Sequence, residues 1–152
     1  MAFLELERKL PADDSVAINT NDTLVFDSII SSEGLGSQID YDMDTGIITF
    51  IEPGYYYIDW LVAPQTGLTT DGCNWAVQTS ISKLSYIGSS NIKVTETIGF
   101  AIIQAAAGET ARLVNVSDGA LFLSKTIQPK ASLKVYNVKE INENNIEKAA
   151  KH

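Results

Sequence analysis

Three carboxylates, those of Asp40, Asp42 and Asp44, stand at every second position of one short segment. A calcium-binding loop begins with this spacing, because alternate carboxylates can converge on one hard cation. Such a loop also needs Gly directly after the third acid and a bidentate Glu at its twelfth position. Here a Thr intervenes before Gly46, and the twelfth position is Ile51. We therefore interpret the segment as a hairpin turn, with calcium bound by these aspartates as the weaker alternative.

Nucleophilic catalysis has little support in this sequence. The single histidine is His152, at the chain end, where residues are usually poorly ordered. Ser, Thr and Cys nucleophiles therefore lack a histidine base. The single cysteine, Cys73, excludes an internal disulfide and a thiolate metal site. Gly34 and Gly36 lack the strand-to-helix setting of a phosphate-binding loop. We expect no enzymatic activity and no cofactor.

Two tryptophans are candidates for stacking on a sugar ring. Trp60 lies within a strongly apolar run, where a core position is favoured. Trp75 follows a loop rich in Thr and Gly, at residues 65–71. We keep Trp75 as a speculative ligand-binding residue, although a half-buried core position is the stronger interpretation of it.

The charge balance restricts the partners. Acidic residues outnumber basic residues by 19 to 11, and the basic residues are scattered between Arg8 and Lys151. A phosphate backbone or an anionic bilayer would be repelled, so we expect neither nucleic acid nor membrane as a partner. No apolar run has the length of a membrane span. The first residues alternate apolar and charged side chains, so we expect no secretory signal there.

Short β-type runs separated by turn residues recur along the chain, and no run of helical period stands out before the C-terminus. About ten strands are predicted, at the spacing typical of a sandwich or barrel. They span residues 23–30, 38–43, 47–51, 55–63, 74–81, 85–87, 95–105, 110–116, 121–127 and 131–138. We place one antiparallel all-β domain at 1–138 and a short polar C-terminal extension with helical character at 139–152.

Two of these runs are apolar on both faces. They are residues 55–62 and residues 98–105, the second of which includes Ile103. An antiparallel sandwich normally exposes one face of each sheet to water, so strands that are apolar on both faces need cover on both. A neighbouring copy of the chain is the most economical second cover, and a loop is the alternative. We assign Ile103 to the surface shared between copies.

The segment from Tyr41 to Trp60 carries a family resemblance. Its pattern, Tyr-Asp-x-x-Thr-Gly-x-Ile-Thr-Phe-x-x-Pro-Gly-x-Tyr-x-Ile-x-Trp, resembles the signature of the C1q and tumour necrosis factor-like jelly-roll domains. The blocks AIIQAAAGETARLVN at 101–115 and ASLKVYNV at 131–138 are similar to other strands of that family. With Ile48 and Ile58 at these positions, the segment is similar to the C-terminal head domains of bacterial collagen-like spore-surface glycoproteins. This sequence nevertheless contains no Gly-X-Y repeat.

The resemblance implies a ten-stranded jelly roll that forms a homotrimer about a three-fold axis. It implies core or turn positions for Tyr41, Gly46, Phe50, Gly54, Tyr56, Ile58, Trp60 and Gly108. Side-chain alternation then turns Tyr55, Tyr57 and Asp59 towards the neighbouring chains, and the two tyrosines would anchor the interface. Three copies of Asp59 near the axis would have to be paired, protonated or bridged by a cation, so Asp59 is a second weak metal candidate.

The function that the resemblance implies is a non-enzymatic trimeric module with a structural or surface-interaction role, on a bacterial spore or cell surface. Two alternatives stay open, because a fold does not fix a function. One is a lectin-like or receptor-type protein that binds glycans or surface proteins through its loops and intersubunit grooves. The other is a structural component of a phage or virion.

Overall fold

The computed structural model describes residues 1–10, 17–91, 96–124 and 128–138, so the predicted extension at 139–152 lies outside it. Every regular element within these ranges is a strand. The twelve strands are β1 (Phe3–Arg8), β2 (Ser28–Glu33), β3 (Ile39–Tyr41), β4 (Ile48–Phe50), β5 (Gly54–Val62), β6 (Pro64–Gly67), β7 (Cys73–Thr79), β8 (Ser85–Ser90), β9 (Thr97–Ala105), β10 (Glu109–Asn115), β11 (Leu121–Leu123) and β12 (Ala131–Val138). The all-β prediction is confirmed.

Ten of these strands form two antiparallel five-stranded sheets. The first, here called the β5 sheet, has the order β2-β1-β12-β5-β9. The second, the β7 sheet, has the order β3-β4-β10-β7-β8. The remaining strands, β6 and β11, pair with each other. Strands that are distant in sequence lie side by side in both sheets, as the jelly-roll prediction requires.

The core lies between the two sheets. Along β5 every second side chain is buried, namely those of Tyr56, Ile58, Trp60 and Val62. From β7 the buried side chains of Cys73, Trp75 and Val77 belong to the same cluster. The rings of Phe50 and Tyr56 lie 4.5 Å apart between centroids, which adds an aromatic contact to the area they bury. Period-two alternation therefore places one face of each sheet in the core.

The two sheets come into close contact at their edge strands β8 and β9. A Cβ atom at Gly88 would lie 2.9 Å from the Cα atom of Gly99, so the two backbones pack without an intervening side chain. A Cβ atom at Gly99 would lie 2.1 Å from the Trp60 ring. These glycines are required by the space available, since any side chain there would collide with its neighbour.

Two strands were not predicted from the sequence, and one is displaced. β1 inserts Leu4 and Leu6 into the core and hydrogen-bonds both β2 and β12. β6 is a four-residue strand that begins at a proline. The strand predicted at 23–30 is found at Ser28–Glu33.

No helix in the ranges that the structure describes has the length and apolarity needed to cross a bilayer.

Candidate subunit interface

The outward face of the β5 sheet carries aligned rows of side chains, because residues directly opposite each other in a ladder point to the same side. One row, here called the aromatic row, runs across β1, β12, β5 and β9 through Phe3, Tyr136, Tyr57 and Ile102. The rings of Tyr57 and Tyr136 lie 5.0 Å apart between centroids. The next row, here called the charged row, contains Glu5, Lys134, Asp59 and Phe100.

Strand β9 exposes large apolar side chains in this face. Ile98, Phe100 and Ile102 are 64%, 71% and 60% exposed, and they alternate with buried residues along the strand. Tyr55 and Tyr136 add further exposed aromatic surface at 38% and 40%. A contiguous apolar surface of this kind is typical of an interaction site.

The outward face of the β7 sheet has a different composition. Its register aligns polar side chains, which include Asp40, Thr49, Thr110, Gln78 and Arg112. Ile87, on the edge strand β8, is the large apolar side chain that is exposed there. One sheet therefore presents a face suited to water, and the other presents a face suited to a protein.

The structure corrects the predicted role of Ile103. Its side chain is 0% exposed, and it lies directly opposite the buried Tyr56 across the β5–β9 ladder. Directly opposed residues share a face, so Ile103 points into the core and cannot reach a neighbouring chain. The exposed face of β9 belongs to Ile98, Phe100 and Ile102 instead.

Tyr55, Tyr57 and Asp59 lie on the outward face of β5. Tyr57 and Asp59 are half-buried, and burial raises the pKa of the Tyr57 hydroxyl. Burial also raises the pKa of the Asp59 carboxyl, while Lys134 lowers it and Glu5 raises it further. The ammonium of Lys134 on β12 therefore stands between two carboxylates, that of Asp59 on β5 and that of Glu5 on β1.

The residues of the sequence motif occupy the core and its turns. Tyr41, Phe50, Tyr56, Ile58 and Trp60 are all buried. The motif glycines Gly46, Gly54 and Gly108 have positive φ angles of 77°, 154° and 83°. Gly46 also has Thr23 and the Leu24 carbonyl within 3.1 Å of where a Cβ atom would stand, so both conformation and space favour glycine there.

Trp75 is fully buried between the sheets. Its ring therefore has no face to offer a ligand, and its speculative ligand-binding role is corrected to a core role. The outward neighbours on its strand are Asn74 and Gln78, which are half-buried.

Of the three candidate calcium ligands, Asp40 lies in β3, and Asp42 and Asp44 lie in the turn that follows it. Asp40, Asp42 and Asp44 are exposed, and Asp42 Oδ1 accepts hydrogen bonds from the amide nitrogens of Asp44 at 2.8 Å and Thr45 at 3.4 Å. The Asp44 amide is the main cause of a lowered pKa at Asp42. Among the described residues, no three His, Cys, Asp or Glu side chains are grouped so that they could hold a metal ion. The hairpin interpretation is the one that the geometry supports.

A shallow cavity of about 390 Å³ opens at one end of the β5 sheet. It is lined by Pro53, Gly54, Tyr55, Gln104, Ala105, Asn137 and Val138. The lining has no charged side chain, and it combines an exposed aromatic ring with two carboxamides. Asn137 Nδ2 donates a hydrogen bond to the Tyr55 carbonyl oxygen at 3.3 Å. The cavity therefore suits a neutral polar ligand better than an ion.

Comparison with family models and with curated protein sequences gives no match. Solved structures do match over most of the chain. The globular domain of zebrafish complement 1qA superposes with a TM-score of 0.64 at 12% identity, covering 92% of this chain and 99% of that one. Murine APRIL gives a TM-score of 0.61 at 12% identity, covering 90% and 98%. The vertex protein P5 of PRD1 gives 0.60 at 14% identity, covering 91% and 97%. The chain therefore has the jelly-roll fold of the C1q and tumour necrosis factor-like domains.

Proposed function

We propose that the protein is a non-enzymatic homotrimeric module, held together through the outward face of the β5 sheet, with a structural or surface-interaction role. The single observation that carries the proposal is the exposure of Ile98, Phe100 and Ile102 on β9. Burying a side chain of this size stabilises an assembly by about 1.5–3 kcal/mol. A trimer would bury three copies of this β9 surface, one from each chain.

The face contains two different patches, which favours a ring over a two-fold dimer. The aliphatic and phenyl side chains of β9 stand at one edge of the sheet, whereas the Tyr57–Tyr136 pair stands near its centre. A patch that meets a different patch on the next copy makes a head-to-tail contact, and such contacts form a ring when the rotation between successive copies closes. The number three comes from the resemblance of the Tyr41–Trp60 segment to the jelly-roll family.

Tyr55 and Tyr57 are proposed as contacts in this assembly, together with Phe100 and Ile102. Tyrosine offers a large contact area and one hydroxyl that can reach water at the rim. Asp59 lies in the same face between the aromatic residues. Other partners would be surface proteins or glycans, bound on the loops and grooves that the trimer leaves exposed.

The oligomeric state tests the proposal directly. Sedimentation equilibrium at several loading concentrations should give a mass three times that of the chain. Phe100→Ser combined with Ile102→Ser should shift the mass towards the monomer, because both changes remove exposed apolar surface without touching the core. The matched control is Thr49→Ala combined with Gln78→Ala on the β7 sheet, which should sediment as the wild type does. A wild-type chain that is monomeric at high concentration contradicts the proposal.

A place on a spore or cell surface is supported by the sequence resemblance alone. The similarity of fold to the PRD1 vertex protein favours a second candidate, a structural component of a virion. Immunogold labelling of spores and of purified particles from the source organism separates the two. Label on the spore exterior supports the first candidate, and label at particle vertices supports the second.

The ligand-binding alternative now rests on the cavity beside Tyr55, since Trp75 is buried. A glycan array gives the test, with Gln104→Ala as the variant, because Gln104 is exposed and lines the cavity. A signal on a defined glycan that Gln104→Ala abolishes would favour the lectin-like role. An array without signal above background counts against it.

A further inference from the structure

The proposed face carries charged side chains at its centre. In the strand register Lys134 stands directly opposite Glu5 on one side and directly opposite Asp59 on the other. The row ends in Ser31 on β2 and in Phe100 on β9, neither of which carries a charge. The charged row therefore holds two carboxylates and one ammonium within an otherwise mainly apolar surface.

The rows on either side bring no cation to Asp59. On one side its nearest neighbours are Tyr57 on β5 and Tyr136 on β12, and on the other they are Leu61 and Ser132. From β9, Asp59 faces Phe100, with Ile98 and Ile102 beside it. Further acids in these rows lie on the far strands, namely Glu7 on β1, which contacts Lys9 at 3.6 Å, and Glu33 on β2. Within these rows of described residues, Lys134 is thus the ammonium that lies next to both carboxylates.

We propose that the chains take up protons at the Glu5–Lys134–Asp59 row when they associate, so that the assembly is tighter in mildly acidic solution than at neutral pH. This inference rests on the proposed function, because it requires a neighbouring chain to cover the face. It adds a regulation of that face by pH, which the fold by itself does not imply.

The physical reason is the cost of removing water from an unbalanced row. One ammonium can neutralise one carboxylate, and the second carboxylate must then be either buried with its charge or protonated. Protonation leaves the row with no net charge, so covering the face favours it. We assign the proton to Asp59, because it lies opposite Phe100 on the face to be covered and burial has already raised its pKa.

The direction of the pH effect follows from this difference in proton binding. A carboxyl whose pKa is higher in the assembly than in the free chain binds more protons in the assembly. The association constant then falls as pH rises through the carboxyl range towards neutrality, and it grows as pH is lowered. Each pKa unit gained on association strengthens binding by about tenfold per chain.

Sedimentation equilibrium of the full chain between about pH 5 and pH 8 at constant ionic strength tests the inference. The wild type should associate at least about tenfold more tightly at the acidic end. Asp59→Asn should associate at neutral pH as tightly as the wild type does in acid, with little change across the series. Glu5→Gln should act in the same direction, which provides a second variant if the first does not fold. Asp40→Asn, the same change on the β7 sheet, should keep the wild-type pH dependence.

The outcomes separate this inference from the proposed function. A wild-type trimer whose association constant is the same across the series overturns the inference and leaves the trimer standing. The same conclusion follows if Asp59→Asn and Glu5→Gln both keep the wild-type pH dependence. A chain that is monomeric at every pH and concentration contradicts the proposed function, and the inference with it.

Discussion

The hydroxyl of Tyr41 donates a hydrogen bond to the carbonyl oxygen of Phe26 at 2.8 Å and accepts one from the amide nitrogen of the same residue at 2.7 Å. Both backbone groups of Phe26 are thereby satisfied by one buried side chain, in a segment that forms no regular strand. Burial raises the pKa of Tyr41 to about 12, so the hydroxyl keeps its proton and can always donate. The first tyrosine of the sequence motif thus fixes the chain that leads into β2.

Removing this hydroxyl should destabilise the fold. Tyr41→Phe keeps the ring but leaves the N–H and C=O groups of Phe26 without a partner, at a cost of about 1–3 kcal/mol for each buried unsatisfied group. Urea denaturation followed by tryptophan fluorescence measures the change. Tyr55→Phe is the control, because an exposed hydroxyl should change the free energy of unfolding by less than about 0.5 kcal/mol. Equal losses in the two variants would contradict the role assigned to Tyr41.

The carboxylate of Glu109 should stabilise the fold in a pH-dependent way. Its side chain is buried, Oε1 accepts from the Ser82 amide at 2.8 Å, and Oε2 accepts from the Ala106 amide at 3.1 Å. Burial on its own would raise the pKa, but the hydrogen bonds outweigh it and the pKa is lowered from its ordinary value of 4.5. The stabilisation is therefore complete above that value and is lost as pH falls below it.

Glu109→Gln gives the corresponding measurement. An amide NH₂ cannot accept a hydrogen bond, so one of the two backbone N–H groups loses its partner, at a cost of about 1–3 kcal/mol at neutral pH. The difference in free energy of unfolding between wild type and variant should shrink in acid, where the wild-type carboxylate becomes protonated. Urea unfolding at a series of pH values shows this convergence. A difference that stays constant down to the most acidic point would contradict the hydrogen-bonded carboxylate.

The contact between Gly99 and Trp60 leaves no room for a methyl group. Gly99→Ala would place Cβ about 2 Å from the indole ring, and overpacking of this kind costs about 1–3 kcal/mol. A double-mutant cycle with Trp60→Phe isolates the cause, because the smaller ring vacates part of the space. Gly99→Ala should therefore cost less in the Trp60→Phe background than in the wild type. If the losses in free energy of unfolding of the two single variants simply add in the double variant, the strain does not come from the contact between Gly99 and Trp60.

Truncating the two tyrosines on the outward face should weaken association more than folding. Tyr55→Ala combined with Tyr57→Ala removes the exposed ring of Tyr55 and the ring that contacts Tyr136, and neither belongs to the buried core. We expect the sedimenting mass to shift towards the monomer, while the circular dichroism spectrum keeps its β character. The control is again Thr49→Ala combined with Gln78→Ala. An unchanged mass for the tyrosine variant would remove both residues from the proposed interface.

Much of the fold can be predicted because the strands alternate clearly between turns that Gly and Pro mark. The segment from Tyr41 to Trp60 is the strongest case, since its glycines fix the turns and its apolar residues recur with period two. The strand at Phe3–Arg8 carries the same signal, with Leu4 and Leu6 buried between half-buried neighbours. Its partners, however, are β2 and β12, and pairing with a strand at the other end of the sequence leaves no local trace.

The face assignments show where sequence reasoning stops. In β9 both sets of alternating side chains are apolar, so periodicity cannot tell which set lies in the core. The register decides, because Tyr56 is buried and Ile103 stands opposite it. The cavity beside Tyr55 could not be predicted from the sequence either. Gln104 and Asn137 come together there only because β5 pairs with both β9 and β12.

The position of β12 also bears on how the protein is made. It hydrogen-bonds β1 on one side and β5 on the other, so the middle of the β5 sheet stays open until Ala131–Val138 has left the ribosome. Until then β1 and β5 present unpaired backbone and apolar side chains to water, which is the condition in which nascent chains aggregate. The sandwich can therefore close only after Ala131–Val138 has been synthesised, and the pairing of β1 with a strand so distant in sequence should make this closure a slow step of folding.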